Sequence, residues 1–163
     1  MKKYILPILT ALAPYLMVSA FLCLIHITPE ILQFVSPLLI YFLILLLGPV
    51  LGIVCLVVGL RSPQITPVQL IKWNLSVKLA HIFCYAFIFL LAVQAMPLMA
   101  PFFFFFDAAT LFLSGGFGIA AILRSRREGL LTNIQTALHI LAHCFFVTDV
   151  LSAFLLWRKL KQQ

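Results

Sequence analysis

The chain has 163 residues, 64% of them hydrophobic and 9% charged, with a mean hydropathy of +1.19. Soluble domains carry about 25% charged residues, so a water-facing surface is excluded, and the longest polar stretch, about a dozen residues, leaves no separate aqueous domain. A formal charge of +7 invites a nucleic-acid reading, but Lys2, Lys3, Arg61, Lys72, Arg124, Arg126, Arg127, Arg158, Lys159 and Lys161 sit at the ends of apolar segments, where basic residues meet lipid headgroups. The expected fold is all-α: one polytopic transmembrane helical bundle over residues 1–163, with about five spans at 4–27, 38–60, 72–95, 98–123 and 130–157.

The first segment opens with Lys2-Lys3 and runs to Val18-Ser19-Ala20, which has the outline of a secretory signal with a small-residue cleavage site. Hydrophobicity continues unbroken to Ile27, so a retained first helix is expected. The second segment, Leu38–Leu60, contains 23 uncharged residues; as a helix it runs about 34 Å, enough to cross the hydrocarbon core. Gly48 and Gly52 put two small residues on one face, where backbones can approach closely. Pro49 should kink the helix by removing one backbone donor. The third segment holds Lys78, His81 and Cys84. Lys78, about two turns in, is expected to snorkel to the interface without a partner. A short turn around Met96-Pro97 then predicts a tight hairpin.

The fourth segment begins with Phe102 to Phe106, five phenylalanines that cover every face of a helix and so serve as bulky fill. Asp107 follows, the only ionisable residue of that segment's interior. A lone carboxylate in lipid costs a few kcal/mol on insertion scales and normally faces a partner or a wet cavity. Ser114 and Gly118 repeat the small-residue spacing of Gly48 and Gly52. Both motifs precede Leu-Arg-Ser, at 60–62 and 123–125, and predict a weak internal duplication of hairpins 38–95 and 98–157 as parallel copies.

The fifth segment is the most polar. At 100° per residue Thr132, Thr136, His139 and His143 form one stripe, while Thr148, Asp149 and Ser152 lie on the opposite side. Such a helix is expected to be central, or to bend between Cys144 and Asp149. Depth counting puts the histidines in the inner half and Asp107 and Asp149 in the outer half, a candidate ladder of titratable groups. The i, i+4 spacing of His139 and His143 also suits two ligands of one metal ion. The metalloprotease form needs Glu after the first His, and Ile140 stands there. Haem ligation by His81 and one of this pair is a further form of the same idea, and the cofactor is otherwise unspecified. Cys23, Cys55, Cys84 and Cys144 are widely spaced within apolar segments and read as buried thiols rather than a disulfide or metal framework.

Lys and Arg counts orient the chain with its N-terminus in the cytoplasm, in the cytoplasmic membrane of a bacterium. Five crossings then leave Arg158, Lys159 and Lys161 outside, against the positive-inside rule. A re-entrant or broken fifth segment would return them inside. The functional expectation is non-enzymatic: a solute- or cation-binding or transport component whose polar interior comes from His81, Asp107, His139, His143 and Asp149. The alternative is a structural, accessory or immunity-type subunit of a larger membrane complex, and an intramembrane metal or haem protein is third. The partners expected are the lipid bilayer and another membrane subunit, with no nucleic acid.

Overall fold

The computed structural model describes residues 2–26, 37–94, 100–143 and 145–162. Six helices and no strands are found among them: α1 (Lys2–His26), α2 (Pro37–Arg61), α3 (Pro67–Gln94), α4 (Ala100–Arg127), α5 (Asn133–Ala142) and α6 (Phe146–Lys161). The expected loop over Thr28–Pro37, the turn at Met96-Pro97 and Cys144 lie outside the described residues, apart from Pro37 itself. Two stretches, Pro67–Leu91 and Phe104–Arg127, are long and apolar enough to cross a membrane; Tyr4–Ala20 and Leu45–Arg61 are apolar but shorter.

Side-chain contacts fix the direction of every helix. Tyr4 of α1 stacks edge-on with Trp73 of α3 at 6.0 Å, and His81 Nε2 lies 3.0 Å from the Thr10 carbonyl, so α1 and α3 run parallel. Lys78 donates to Ser114 Oγ at 3.4 Å and Trp73 lies edge-on to Phe117 at 5.7 Å, which sets α4 antiparallel to α3. Gly48 lies against Ala109 and Gly59 against Ala120, so α2 runs parallel to α4 and antiparallel to α1, which it meets at Thr10 Oγ1 and Cys55 Sγ, 3.2 Å apart. The first four helices therefore alternate up and down, and Lys2, Lys3, Arg61, Lys72, Arg124, Arg126 and Arg127 all belong to one end of the bundle.

Glycine brings α2 and α4 together. A Cβ added at Gly48 would lie 2.6 Å from the Ala109 carbonyl oxygen, one at Gly59 would lie 2.6 Å from Ala120 Cβ, and one at Gly52 would overlap the Phe112 carbonyl. Gly116 of α4 returns the approach against the Gly52 carbonyl. The small residues thus place two parallel backbones in contact, supplying the van der Waals packing that joins helices where no hydrophobic drive exists. At the basic end Arg124 Nη1 donates to the carbonyls of Gly59 (3.3 Å), Ser62 (2.9 Å) and Ile65. It satisfies the acceptors left open where α2 stops. Gly129, at φ +76°, ends α4 in the left-handed conformation that glycine adopts without penalty.

The segment over 130–157 does not form one helix. It is two helices that double back: Lys159 Nζ donates to Gln135 Oε1 at 2.8 Å and His139 Nδ1 lies 2.7 Å from Ser152 Oγ. A hairpin explains the two polar stripes on opposite sides of the expected helix, because folding back turns them face to face. It also brings Arg158, Lys159 and Lys161 to the end that already holds the other basic residues. The parallel-copy duplication fails at the same place: α2 and α4 correspond in direction, but α3 is continuous where its counterpart is folded.

Two apolar clusters fill the interior. Leu70, Ile71, Trp73, Phe117, Ala120, Ala121, Ala153 and Leu156 pack toward the basic end, and Met17, Leu45, Cys84, Ile88, Phe106 and Ala109 pack toward the other. No α5 or α6 residue joins the second cluster among the described residues, so the hairpin covers only the basic half. Outer faces are apolar: Phe83 is 76% exposed and Phe112 67%. A soluble protein rarely leaves so many large apolar side chains uncovered.

The close approach of α2 and α4 is testable by a matched pair of substitutions. Gly52→Ala drives a methyl group into the Phe112 carbonyl and should lower the melting temperature in detergent, with overpacking costing about 1–3 kcal/mol. Gly115→Ala meets nothing nearer than Ile119 Cδ1 at 4.0 Å. It should be neutral or stabilising, since alanine favours a helix over glycine by roughly 1 kcal/mol. Equal melting temperatures for the two variants would remove the packing claim.

Candidate functional site

Between the apolar clusters lies a layer of buried polar side chains. Asn74 and Lys78 sit one turn apart on α3, and Ser114 and Gly118 do the same on α4, so each pair shares a face. His143 closes α5 and Asp149 lies in the first turn of α6. Asn74 is fully buried, and Lys78, Ser114, His143 and Asp149 are each at most 5% exposed. Counting along each helix at 1.5 Å per residue, Lys78 is about 16 Å from the start of α3, and His143 and Asp149 are about 15 and 18 Å from the outer ends of α5 and α6. The three helices carry their polar groups to one depth, near the middle of α3.

The local backbone places Asp149. His143 ends α5 with its N–H shared between the carbonyls of His139 (3.2 Å) and Ile140 (3.1 Å). Phe145 is extended, at φ −126° and ψ 128°, and offers no side-chain cap to α6. Thr148 takes up the slack, its hydroxyl donating to the carbonyls of Ala142 (2.9 Å) and Phe145 (3.1 Å). The break between Ala142 and Phe146 leaves Asp149 in the first turn of α6, at the positive end of its dipole, where a carboxylate is favoured.

Asp149 is held by two neighbours. Its Oδ2 pairs with Lys78 Nζ and its Oδ1 with His143 Nδ1. Lys78 also reaches Ser114 Oγ, whose own hydroxyl donates to the Leu111 carbonyl at 3.1 Å. Among the described residues, His143 Nε2 and both amide atoms of Asn74 have no hydrogen-bond partner. They meet over Gly118, where an added Cβ would lie 2.6 Å from His143 Nε2 and 2.9 Å from Asn74 Nδ2. A chain of polar groups thus runs Asn74, His143, Asp149, Lys78, Ser114 across four helices. His143 has one ring nitrogen on a carboxylate and the other facing an amide, an arrangement that can hold a proton on either nitrogen.

Of the residues expected to form the polar interior, the fold brings His143 and Asp149 into contact. His139 is one turn away and engaged with Ser152. His81, fully buried, turns Nε2 to the Thr10 carbonyl, has no hydrogen-bond partner at Nδ1 among the described residues, and lies edge-on to Tyr85 at 6.4 Å. Asp107 is apart: its residue is exposed and lines a groove of about 720 Å³ between α3 and α4 with Tyr85, Phe89 and Phe104. The expected ladder, with carboxylates in the outer half, does not describe Asp149, because the fold-back returns it to the depth of His143. Lys78 departs most from expectation. It does not snorkel but is 2% exposed and paired. Its place on the same α3 face as His81 was the signal available in the sequence. Asn74 had none, since an asparagine two residues into the expected segment at 72–95 reads as an interfacial residue.

Metal ligation finds no assembled set. Among the described residues no three His, Cys, Asp or Glu side chains converge, and the Nδ1 atoms of His139 and His143 face Ser152 and Asp149 respectively. The small pairs divide their work as well: Gly48 and Gly52 face α4 within the same chain, whereas Ser114 and Gly118 face the polar layer.

The fold and site define an all-α bundle with two helices able to cross a membrane and a buried charge cluster at the tip of a folded-back helical hairpin. Residues 75–162 match the profile of a family described as a family of unknown function, DUF6652, and the chain belongs to that family. The matched segment runs from α3 to the end of α6 and contains every residue of the cluster except Asn74. No curated protein and no solved structure matches the chain.

The Lys78–Asp149 pair should show the signature of a buried ion pair. Removing one partner leaves an uncompensated charge in the interior and costs about 3–5 kcal/mol, whereas replacing both by apolar residues is far milder. Lys78→Met and Asp149→Leu should therefore each lower thermal stability in detergent more than the double variant does. Additive losses would show that the two charges do not depend on each other.

Proposed function

We propose that the chain is a non-enzymatic integral membrane protein that carries a small solute, with a proton held at the His143–Asp149–Lys78 cluster as the coupling element. In this reading α1 to α4 cross the membrane and α5–α6 enters from the basic side, stops at the midplane and returns. The basic end, with Lys2, Lys3, Arg61, Lys72, Arg124, Arg126, Arg127, Arg158, Lys159 and Lys161, is then cytoplasmic, and the positive-inside rule holds without exception. The N-terminus is inside, in the cytoplasmic membrane.

The observation that carries the reading is Asp149, a carboxylate at mid-depth bridging a lysine and a histidine. Ionisable groups inside a bilayer are costly, and where they persist they mark pathways for ions, protons or substrates. The lysine offsets the carboxylate, which disfavours a metal cation as cargo. The histidine is the remaining member of the cluster, with Nδ1 on the carboxylate and Nε2 toward Gly118, and is placed to pass a proton. Re-entrant helices that end at the midplane recur where a solute is bound, because their ends offer unpaired backbone groups and oriented dipoles. A structural or accessory subunit is the second reading, and the closed pairing of Lys78 with Asp149 within the chain favours it.

Topology separates four crossings with a hairpin from five crossings. In a background without the four native cysteines, Gln162→Cys and Arg126→Cys should both react with an impermeant thiol reagent only after permeabilisation. Labelling of position 162 from outside would restore a fifth crossing and overturn the hairpin.

Carriage is read from reconstituted protein on a solid-supported membrane, challenged with amino acids, sugars, organic amines and monovalent cations at several pH values. The wild type should give a pH-dependent current with one class, and His143→Gln, which removes the imidazole while leaving the Lys78–Asp149 pair in place, should abolish it while preserving expression and fold. Silence with every class at every pH would overturn the carrier reading in favour of the accessory one.

A further inference from the structure

We infer that the cleft between the starts of α1 and α3 is a binding site for one anionic phospholipid, with Lys72 as its headgroup ligand. The cleft holds about 680 Å³ at the basic end of the bundle. Its rim is polar, formed by Lys72, Thr66 and Gln69, and Tyr4 and Trp73 flank it. Its floor, deeper along the helices, is mostly apolar: Ile8, Ala11 and Val77, with Ser76 beside them. From Thr66 to Val77 the cleft follows α3 for about 16 Å, which spans a headgroup and the upper part of an acyl chain.

Charge selects the occupant. Lys72 is exposed at the rim and has no ion-pair partner among the described residues. The only acidic residue described at this end, Glu128, lies beside Arg124, 3.7 Å away. A polar rim with one unpaired ammonium, above an apolar trough open between two helices, matches a negatively charged headgroup joined to a hydrocarbon chain. Clusters of Lys and Arg at the cytoplasmic ends of membrane helices attract anionic lipids in the same way. Tyr4, exposed at the rim, is of a residue type that settles at the headgroup level, and Trp73 lines the cleft from within the apolar core. Thr66 Oγ1 is engaged with the Gln69 backbone N–H at 3.2 Å, so the amide of Gln69 and the ammonium of Lys72 are the groups left to meet the phosphodiester. The inference rests on the membrane placement proposed above but not on carriage, since neither Asp149 nor His143 takes part.

Trp73 supplies the readout. In a Trp157→Phe background, with full-length protein in bilayers, lipids brominated on the acyl chain quench the indole they touch. Brominated phosphatidylglycerol should quench Trp73 at about fivefold lower mole fraction than brominated phosphatidylcholine, the effect of one basic residue near the surface. Lys72→Glu should erase the preference, Lys72→Arg should keep it, and Arg126→Glu, an equal charge change at the same end but off the cleft, should leave it nearly intact. Equal quenching by the two lipids in the wild type, or a preference that survives Lys72→Glu, would overturn the site. Loss of the preference in Arg126→Glu to the same extent would also overturn it, reducing the effect to the general field of the basic end. Solute currents abolished by His143→Gln alongside equal quenching would leave the carrier standing without the lipid site.

Discussion

The rest of the structure depends on where one carboxylate is neutralised. Asp149 begins a helix in the middle of an apolar bundle, and a lone charge there is not tolerated. Lys78 from α3 and His143 from α5 meet it. Those two contacts tie three helices to one point and fix how far the hairpin penetrates. Given that depth, α5 and α6 have lengths that return both their outer ends to the basic side. The apolar residues Ala153, Leu156 and Leu160 of α6 then complete the core beside Leu70 and Ile71.

The second constraint is steric. Because α2 and α4 share close backbone contacts through Gly48, Gly52, Gly59 and Gly116, they form a narrow wall behind the polar layer. α4 can then turn a different face, with Ser114 and Gly118, toward α3 and the hairpin. Gly118 matters here for the space it leaves: any side chain would press on both His143 and Asn74. One helix thus serves a dry interface on one side and a polar one on the other. The alternation of small residues along it, Ser114, Gly115, Gly116 and Gly118, permits both.

Much of the helix layout was legible in the sequence. The ends of α1 to α4 fall within a few residues of the expected segments, except that α3 begins at Pro67, five residues before Lys72, because a proline at the first helical position costs no hydrogen bond. The polarity of the last segment, the spread of its polar residues over two sides and the basic tail were all visible, and together they hint at a break. The fold-back is the re-entrant alternative to a fifth crossing, which the sequence leaves open without deciding it. Nothing in Cys144, Phe145 and Phe146 is a turn former, and the break is held by Thr148 and by tertiary pairing of Asp149. For the site, His143 and Asp149 were named and do meet. Asp107, the carboxylate expected to face a partner or a wet cavity, lines a groove outside the cluster. Lys78 reads as a snorkelling residue because a long side chain near a helix end can usually reach water; partner and depth, which only the fold supplies, reverse that. The asparagine over Gly118 was invisible for the same reason.

The central claim is that the last two helices form a hairpin anchored at mid-depth, and a distance measures it. Spin labels at positions 135 and 159, whose native side chains touch at 2.8 Å, should give a double electron–electron resonance distance near or below about 20 Å, whereas one straight helix would hold 24 residues' rise, about 36 Å, between them. The short distance in lipid bilayers supports the anchored hairpin and everything built on it. The long one would return the segment to a single crossing and separate Asp149 from His143.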